Sequence, residues 1–421
     1  MKFELPEFEN KDVVFIGKDR EWKSFEPFIH ANANVKSLQS IFITEENRAN
    51  YDKQLKSLNL DEAVVVKSAG YPGNLVPVAY TTPTKIFFEC IQQLGAKTVG
   101  ITGTKGKSTV SSLIYRMLQQ GGVESQFGGN IGTPMLDLLS SGTANSVFVL
   151  ELSSYQLAEL DVSPDIAVVT NLYRDHIDYH GSLENYWEAK RNIVRYMSAD
   201  NTVIFNPNTE IVYHWMAEKE VKKLPIDPLE VVDMSKSQLI GEHNKLNYQM
   251  ARTVAQALGV DNFSCQHILK NFKPLPHRLE RVRTVKGVIF IDDAIASQPE
   301  ATIADVTACV REVAPVGCVM LGGQDRDYDF IELAKLLSTL LIPKLVLFPE
   351  TGAKIKFLFP ESYQPEIFET SDMHDAVVWA AAHCPSGSVC LLSTASPSYS
   401  IWKDFEEKGD LFQKAVLELS N

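Results

Sequence analysis

Seven consecutive residues have the composition of a loop that binds a polyphosphate. Glycines let successive backbone N–H groups turn toward an anion, and a helix that begins directly after the loop adds the partial positive charge of its N-terminus. Lys107 is expected to meet the β and γ phosphates, and the hydroxyl of Ser108 or Thr109 to approach a magnesium ion. The loop is one residue shorter than the commonest pattern, and a glycine turn with two solvated lysines is the alternative. We predict ATP binding by Gly103, Thr104, Lys105, Gly106, Lys107, Ser108 and Thr109.

Two later residues are candidates for completing a magnesium site beside this loop. Glu151 follows the apolar run 147–150, and ligands of open α/β sheets bind at such strand ends. His176 follows the next apolar run, which ends at Thr170. Mg²⁺ prefers oxygen ligands, and a carboxylate with one imidazole is chemically acceptable. Either residue taken alone is more often structural, but a sheet edge shared with the phosphate loop favours metal binding by both.

The hydrophobic pattern predicts the elements that must position these residues. A strand at 98–102 precedes the glycine loop, and apolar residues at helical spacing follow it at 108–119. The runs 147–150 and 166–170 are short and apolar apart from the final Thr170, which is typical of strands buried in a parallel sheet. The sequence therefore predicts a central α/β domain in which several strands end at one site.

Two further α/β blocks flank this centre. Before it, β-branched runs alternate with helical stretches, at 13–16, 40–44 and 63–66. After it, two prolines interrupt a helical pattern near residue 275, and new strand candidates follow at 287–291, 318–321, 345–348 and 388–392. We predict an α/β protein of three domains: a Rossmann-like N-terminal domain at 1–92, a central domain with a P-loop ATPase-type parallel sheet at 93–274, and a Rossmann-like C-terminal domain at 275–421.

Composition narrows the class of protein. The 421 residues exceed what one core usually accommodates. A net charge of −13 argues against nucleic-acid binding, which needs clustered Lys and Arg. No leader is recognisable, and no apolar run reaches the roughly 18 residues of a membrane span, so no membrane insertion is expected. Six cysteines lack C-x-x-C spacing and are interpreted as reduced core residues. We expect a cytoplasmic protein.

Six motifs, taken together, resemble those of the Mur ligases of peptidoglycan synthesis. Their order and spacing match nearly the whole chain from about residue 80 onward. The stretch LLSTASPSYSIWKDFEEKGDLFQ at 391–413 is similar to the ending of the glutamate-adding members. The six motifs are GTKGKST (103–109), GGNIGTP (128–134), ELSSYQL (151–157), NLYRDHIDYHGSLENYWEAKRNI (171–193), GEHNKLN (241–247) and PHRLE (276–280).

The resemblance implies an activity and a set of site residues. The activity is ATP-dependent addition of glutamate to UDP-N-acetylmuramoyl-L-alanine through an acyl phosphate, by a monomer that uses Mg²⁺. The implied magnesium ligands are Ser108, Glu151, His176 and Lys190, of which Lys190 matches a lysine that is carbamylated in the family. Without the resemblance, Lys190 would be interpreted as a solvated helical lysine. The implied substrate and nucleotide contacts are Asn130 and Ser68 for the nucleotide sugar, Asn244 and Asn247 for adenine, Arg278 and Asp293 for the nucleotide, and Arg326, Ser398 and Phe405 for glutamate.

The chain departs from the family pattern at the implied amino-acid pocket. Where D-glutamate-adding members usually have Asp-Ser-Lys-Ala-Thr-Asn, this chain has Asp-Ala-Ile-Ala-Ser-Gln at 293–298, so Ile295 replaces a lysine. In GGQDRDYDF, Arg326 replaces the usual lysine and can bind a carboxylate through two parallel hydrogen bonds. A branch of the family uses L-glutamate, and the rearranged charge favours L-glutamate over D-glutamate here.

The N-terminal block departs as well. A Rossmann-type nucleotide site has several glycines after its first strand, whereas this chain keeps only Gly17. Lys18 and Arg20 could supply charge to a diphosphate, although solvated loop residues are the simpler interpretation. Two alternatives for the whole chain remain: a ligase like folylpolyglutamate synthase, and a nucleotide-binding subunit without catalysis.

Overall fold

Three β-sheets organise the chain. The computed structural model describes residues 2–17, 19–42, 60–217 and 219–420. The chain divides into two compact units, one formed by 1–232 with 246–269 and the other by 233–245 with 270–421. The first unit contains two of the sheets and the second contains the third. The expected α/β class, with one sheet for each expected domain, is confirmed, and the exact domain boundaries at 92 and 274 stay predictions.

The first sheet is parallel and has the strand order β2-β1-β3-β4. Its centre is apolar because the run at 13–16 is buried on both faces. Of the predicted run 40–44, residues 40–42 lie in β2, while Ile43 and Thr44 lie outside the described residues. The strands are β1 (Asp12–Gly17), β2 (Ser37–Phe42), β3 (Val64–Lys67) and β4 (Tyr80–Thr81).

The second sheet is parallel throughout, with the order β10-β9-β8-β5-β7-β6. β5 pairs with β7 on one side and β8 on the other, and every residue of β7 and β8 is buried, as the apolar runs predict. The C-terminal ends of β5, β7 and β8 therefore meet at one edge. The strands are β5 (Lys97–Thr102), β6 (Ser125–Gly129), β7 (Val147–Glu151), β8 (Ile166–Val169), β9 (Thr202–Phe205) and β10 (Lys222–Pro225).

The third sheet has the order β11-β12-β16-β13-β14-β15 and is parallel except for β11, which forms an antiparallel hairpin with β12. Its central strands β13 and β16 are wholly buried. The four strand runs predicted after residue 275 are found within about two residues. The strands are β11 (Glu280–Val285), β12 (Val288–Asp292), β13 (Val316–Leu321), β14 (Lys344–Leu347), β15 (Glu366–Glu369) and β16 (Val389–Leu392).

Helices connect the strands, and several have recognisable caps. Thr82 accepts a hydrogen bond from the N–H of Lys85 at the start of Pro83–Leu94, and Gly95 ends that helix in the left-handed conformation. The helices are Asp19–Asn32, Pro83–Leu94, Lys107–Gln120, Met135–Leu138, Ser154–Ala158, Ile177–His180, Leu183–Arg195, Glu210–Ala217, Glu242–Ala257, Asn262–Asn271, Pro299–Glu312, Ile331–Thr339, Thr351–Phe357, Met373–His383 and Phe405–Glu418.

Two expectations drawn from composition can be compared with the structure. All six cysteines are buried and free, as predicted for reduced core residues. Among the described helices, none combines the length and the apolar character that a membrane crossing requires.

Candidate active site at the edge of the second sheet

The phosphate-type loop connects β5 to helix Lys107–Gln120, as the sequence predicts. Gly103 and Gly106 have φ angles of +147° and +84°, which L side chains rarely adopt. A Cβ at Gly103 would lie 1.9 Å from Oγ1 of Thr170, and one at Gly106 would lie 2.5 Å from Oδ1 of Asn247. The loop therefore needs glycine at both positions for conformation and for space.

The loop is anchored to the segment that follows β8. The N–H of Thr104 donates to the carbonyl of Asn171 at 2.8 Å, and the N–H of Lys105 donates to the side chain of Asn171 at 2.8 Å. The hydroxyl of Thr170 donates to the Lys105 carbonyl at 2.6 Å, and Oγ1 of Thr104 lies 3.0 Å from the hydroxyl of Tyr186. The first N–H groups of an α-helix lack acceptors within the helix, which makes a helix start a favourable binding place for an anion.

Positive charge is concentrated at this loop. Nζ of Lys107 donates to the carbonyls of Gly103 and Thr104, both at 3.1 Å, so its side chain lies across the loop. Ser108 and Thr109 are buried in the first helical turn, whereas Lys105 is exposed. The loop can therefore offer one fixed ammonium, helix N–H groups and hydroxyls to a polyphosphate.

Replacing Gly106 with alanine is expected to weaken ATP binding at least about tenfold, which corresponds to about 1.4 kcal/mol. The new Cβ would overlap Asn247, and the left-handed backbone adds roughly 1–2 kcal/mol of strain for an L residue. Titration calorimetry with ATP measures the change. Gly122→Ala is the matched control, because Gly122 also has a positive φ (+73°) but has open space for a Cβ and lies outside the loop. Wild-type ATP affinity in Gly106→Ala would show that this loop is not the nucleotide site.

Glu151 ends β7 beside the loop and is buried. Its Oε1 accepts a hydrogen bond from Nδ2 of Asn130 at 2.8 Å, and its backbone carbonyl accepts one from the N–H of Asn130 at 2.9 Å. Its Oε2 is buried and has no hydrogen-bond partner among the described residues. Because leaving a buried carboxylate oxygen unpaired is costly, this oxygen is a natural ligand for a cation.

His176 precedes helix Ile177–His180 and has a left-handed φ of +51°. Its Nδ1 lies 2.9 Å from the hydroxyl of Tyr155. Burial lowers the pKa of His176; Asp175 opposes this shift, while the positive charges of Lys190 and Lys107 reinforce it. The imidazole is therefore neutral near pH 7, as a metal ligand must be.

Lys190 is buried rather than solvated, so the interpretation drawn from its helical context alone is wrong. Only 2% of the residue is exposed, and Nζ donates to the Gly103 carbonyl at 2.8 Å and lies 3.4 Å from Oγ1 of Thr102. Its ammonium also lies 4.9 Å from the centre of the Tyr186 ring. Burial holds the pKa of Lys190 well below its usual range, and the charge of Lys107 lowers it further. Lys190 thus belongs to the same site as the loop.

The donor set fits magnesium in its chemistry. The partnerless oxygen of Glu151 and the hydroxyl of Ser108 are hard oxygen donors, and His176 offers a neutral nitrogen. An ammonium cannot bind a cation, so Lys190 can join this set only after its charge has been removed.

The described residues of the second unit contain two other clusters with metal-ligand side chains. Asp372, His374 and Asp375 are exposed. In the other, Nδ1 of His277 lies 2.7 Å from Asp292, and this carboxylate raises the pKa of His277. Gln413 donates to Glu280 at 3.0 Å and to Asp292 at 2.9 Å, so this cluster is an internally paired hydrogen-bond network. Sequence analysis did not single out His277, although it lies within PHRLE.

The residues implied to contact ATP fall in both units. In the first unit, Asn247 lies beside Gly106. In the second, Asp293 is buried and accepts the N–H of Leu279 at 2.7 Å; burial raises its pKa, and the charge of Arg278 opposes that rise. Asn244 also belongs to the second unit, is buried, and donates to the Ile240 carbonyl at 2.7 Å. Asn244, Asn247 and Asp293 are thus buried polar groups and not surface residues.

The three residues implied to bind glutamate, and Ile295 of the departing motif, all lie in the second unit. The N–H of Gln324 donates to the Pro397 carbonyl at 2.8 Å, which places the loop of Arg326 against the loop of buried Ser398. The N–H of Ile295 donates to the His277 carbonyl at 3.4 Å, and Phe405 packs edge-on against the His277 ring at 6.3 Å. Arg326 and Ser398 therefore lie on adjoining loops, whereas Ile295 and Phe405 each contact His277.

Arg326 itself is held on two sides. Its Nε donates to the side-chain carbonyl of Gln324 at 3.2 Å, and its guanidinium lies 5.7 Å from the centre of the Tyr399 ring. The residue is exposed. Its two terminal nitrogens can therefore donate two parallel hydrogen bonds to the carboxylate of a ligand.

The first sheet has one implied substrate contact, Ser68. This residue is fully buried at the end of β3, and its hydroxyl has no hydrogen-bond partner among the described residues. A Cβ at Gly17 would lie 2.0 Å from that hydroxyl. Arg20 is not a loop residue, as the simpler interpretation had it: it lies in helix Asp19–Asn32 and donates to the Gly132 carbonyl at 2.7 Å. Lys18 lies outside the described residues.

Comparison of sequences relates the chain to named proteins. A family model described as the Mur ligase middle domain matches residues 101–226. The UDP-N-acetylmuramoylalanine--D-glutamate ligases of Clostridium botulinum strains Hall and Langeland are each 33% identical to it over 356 residues. Each of these alignments covers 79% of this chain and 76% of the relative.

Solved structures of two ligases share the fold. The MurF ligase from Thermotoga maritima, in complex with ADP, has a TM-score of 0.63 at 17% identity and covers 98% of this chain and 96% of its own. The UDP-N-acetylmuramate-alanine ligase MurC from Thermotoga maritima has a TM-score of 0.61 at 19% identity and covers 96% of this chain and 98% of its own. At these identities the likeness establishes the three-domain α/β fold alone.

Proposed function

Since this chain belongs to the Mur ligase family of ATP-dependent amide-forming ligases, we propose that it joins glutamate to UDP-N-acetylmuramoyl-L-alanine in peptidoglycan precursor synthesis. The observation that carries the proposal is the meeting of the phosphate loop, Glu151 and the buried Lys190 at one edge of the second sheet. The Clostridium relatives, named as D-glutamate ligases, support glutamate as the amino acid without regard to its isomer. We also propose that the enzyme acts as a cytoplasmic monomer.

In the proposed reaction the terminal carboxylate of the nucleotide sugar attacks the γ-phosphorus of ATP, giving an acyl phosphate and ADP. The amine of glutamate then attacks the acyl carbon and expels phosphate. A carboxylate and a polyphosphate repel each other, so charge neutralisation and positioning supply most of the catalysis. The ammonium of Lys107 and the N–H groups that begin its helix neutralise phosphate charge.

Magnesium, when bound, would neutralise further phosphate charge, and Ser108, Glu151, His176 and Lys190 would hold it. Asn130 donates to Oε1 of Glu151 and so orients the carboxylate, while Oε2, which has no partner among the described residues, is the oxygen best placed to act as a ligand. We propose that Lys190 takes part as a carbamate. Its burial beside a second cation favours loss of its charge, and addition of CO₂ to the neutral amine converts a cation into an anionic oxygen ligand.

We propose that the three domains divide the substrates among them. Residues 1–92 bind the uridine diphosphate part through Ser68, and Asn130 of the central domain (93–274) contacts the muramoyl part. ATP binds the phosphate loop, with Asn244 and Asn247 on the adenine side and Arg278 and Asp293 near the nucleotide. Residues 275–421 bind glutamate through Arg326, Ser398 and Phe405, and the adjoining loops of Arg326 and Ser398 support this.

We propose L-glutamate as the preferred isomer. At position 295, where D-glutamate-adding members usually have a lysine, this chain has isoleucine. Arg326 is the cation implied among the glutamate contacts, and its planar guanidinium contacts Gln324 and Tyr399. Exchange of one lysine for isoleucine and of another for arginine changes where the two carboxylates of glutamate can bind. A change of stereochemistry requires such a rearrangement.

Phosphate release from ATP, measured with Mg²⁺ and UDP-N-acetylmuramoyl-L-alanine, tests both levels of the proposal. L-glutamate is expected to support turnover at least about tenfold faster than D-glutamate at equal concentration, because a misplaced carboxylate loses about 1.4 kcal/mol or more. Ile295→Lys is expected to reduce that preference, and Ile331→Lys, an exposed isoleucine of the same unit, serves as control. Faster turnover with D-glutamate would contradict the proposed preference for L-glutamate. No phosphate release with either isomer would reject glutamate ligation.

A further inference from the structure

A tyrosine hydroxyl contacts the side chain of His176. Tyr155 lies in helix Ser154–Ala158, directly after the strand that carries Glu151, and its hydroxyl lies 2.9 Å from Nδ1 of His176. The helix is fixed at its start by a capping box, in which Ser153 accepts the N–H of Gln156 and the Gln156 side chain accepts the N–H of Ser153. The hydroxyl is therefore held at a defined place beside the imidazole.

Other rings hold Tyr155 in turn. The ring of Tyr179 packs edge-on against it with centroids 4.4 Å apart, and the ring of His180 stacks on it at 5.6 Å. The Tyr179 hydroxyl donates toward the carbonyls of Ala69 and Tyr71, at 3.3 and 3.2 Å, in the loop that follows β3 of the first sheet. The position of Tyr155 thus depends on packing from both sheets of the first unit.

We propose that Tyr155 is a positioning residue for His176, an inference that rests on the proposed function because it assigns His176 to the magnesium site. A neutral imidazole has one N–H and one lone pair, and the hydrogen bond at one nitrogen decides which nitrogen can bind a metal. When the Tyr155 oxygen accepts the Nδ1–H of His176, the lone pair lies on Nε2. Asp175 is 3.8 Å from Nε2, too far for a hydrogen bond, so that nitrogen stays available.

The backbone conformation of His176 explains why its ring needs a contact that orients it. A non-glycine residue in the left-handed region, such as His176 at φ +51°, is strained and persists only when its surroundings determine it. The local bond from the N–H of His176 to its neighbour Asp175, at 3.0 Å, fixes the turn but not the ring. The ring is oriented by Tyr155, and through Tyr179 that orientation depends on the loop at 69–71 of the first sheet.

The test is Tyr155→Phe, which removes one oxygen and keeps the ring that packs against Tyr179. In wild-type protein, ¹⁵N spectra of histidine side chains should show one tautomer for His176, identified by its loss in His176→Gln. In Tyr155→Phe we expect mixed tautomers and roughly tenfold weaker Mn²⁺ binding, measured by electron paramagnetic resonance on the full chain. We expect kcat to fall while KM for glutamate stays unchanged.

Tyr213→Phe is the matched control, because Tyr213 is an exposed tyrosine in helix Glu210–Ala217 of the same unit. Tyr179→Phe is a second variant. It keeps the Tyr155 hydroxyl but removes the hydroxyl that bonds Tyr179 to the loop at 69–71, and a smaller loss of Mn²⁺ affinity is expected. Wild-type tautomer signals and wild-type Mn²⁺ affinity in Tyr155→Phe would overturn the proposal. The tautomer measurement needs no substrate, so its result is separate from the failure of glutamate ligation, which the phosphate-release assay reports.

Discussion

Lys107→Met is expected to lower kcat by about 10²- to 10³-fold, the range found when one preorganised donor to a developing charge is removed. Lys107 is the ammonium that lies within the loop, donating to Gly103 and Thr104, so it is placed to neutralise phosphate charge as the acyl phosphate forms. Methionine has a similar length and leaves the buried Ser108 and Thr109 undisturbed. Phosphate release at saturating substrates measures the effect.

Lys97→Met is the matched control, because Lys97 is exposed at the opposite end of the same strand β5. It should retain wild-type turnover and the same melting temperature. A Lys107→Met enzyme that keeps more than a tenth of the wild-type kcat would contradict the role given to the loop ammonium. Such a result would favour the alternative that the chain is a nucleotide-binding subunit without catalysis.

Lys190→Arg is expected to abolish ligation, with a loss of roughly 10³-fold or more, although it preserves a positive charge. The guanidinium of arginine stays protonated and cannot add CO₂, so it cannot become an anionic ligand. The amine of Lys190 donates to the Gly103 carbonyl, and its burial together with the charge of Lys107 holds its pKa well below the usual range, which favours the neutral amine. A carbamate carbon should therefore appear in ¹³C spectra of wild-type protein in labelled bicarbonate and be absent from the variant.

Lys222→Arg, a substitution of an exposed lysine in β10, controls for the chemistry of the exchange. Activity of wild-type protein should fall in buffer depleted of CO₂ and return when bicarbonate is added. Full activity in Lys190→Arg would mean that Lys190 acts as a cation, and the carbamate proposal would then be wrong. The phosphate-loop assignment would be unaffected, since it rests on Lys107 and the two glycines.

Residues that are neighbours in the chain could be assigned from the sequence. The phosphate loop is contiguous, so its glycines, its lysine and its helix start are all specified within residues 103–109. The strands β7 and β8 are wholly buried and, apart from Glu151, apolar, because both faces of a parallel sheet are covered, and that pattern is local too. The shared edge was expected because parallel strands of one sheet end on the same side, whereas the strand order, which places β7 next to β5, was not predicted.

The interpretation of Lys190 as a solvated lysine, drawn from its helical context alone, is wrong for a physical reason. Tyr186, Lys190 and Ile193 lie on one face of helix Leu183–Arg195, and all three are buried. A charged side chain on a helix is normally solvated, so its residue type argued against the buried face that the periodicity of its neighbours indicated. Only the packing of this helix against the phosphate loop shows that the amine reaches the Gly103 carbonyl.

By itself, the sequence determined the main buried strands, the phosphate loop and the residue types at the strand ends, because each depends on residues close together in the chain. The tertiary structure alone decided which polar atoms meet. Asn130 bonds Glu151 across 21 residues, Tyr155 bonds His176 across 21, and Lys190 reaches Gly103 across 87. Hydrogen bonds act over about 3 Å, and no local pattern specifies which distant residues will come within that distance.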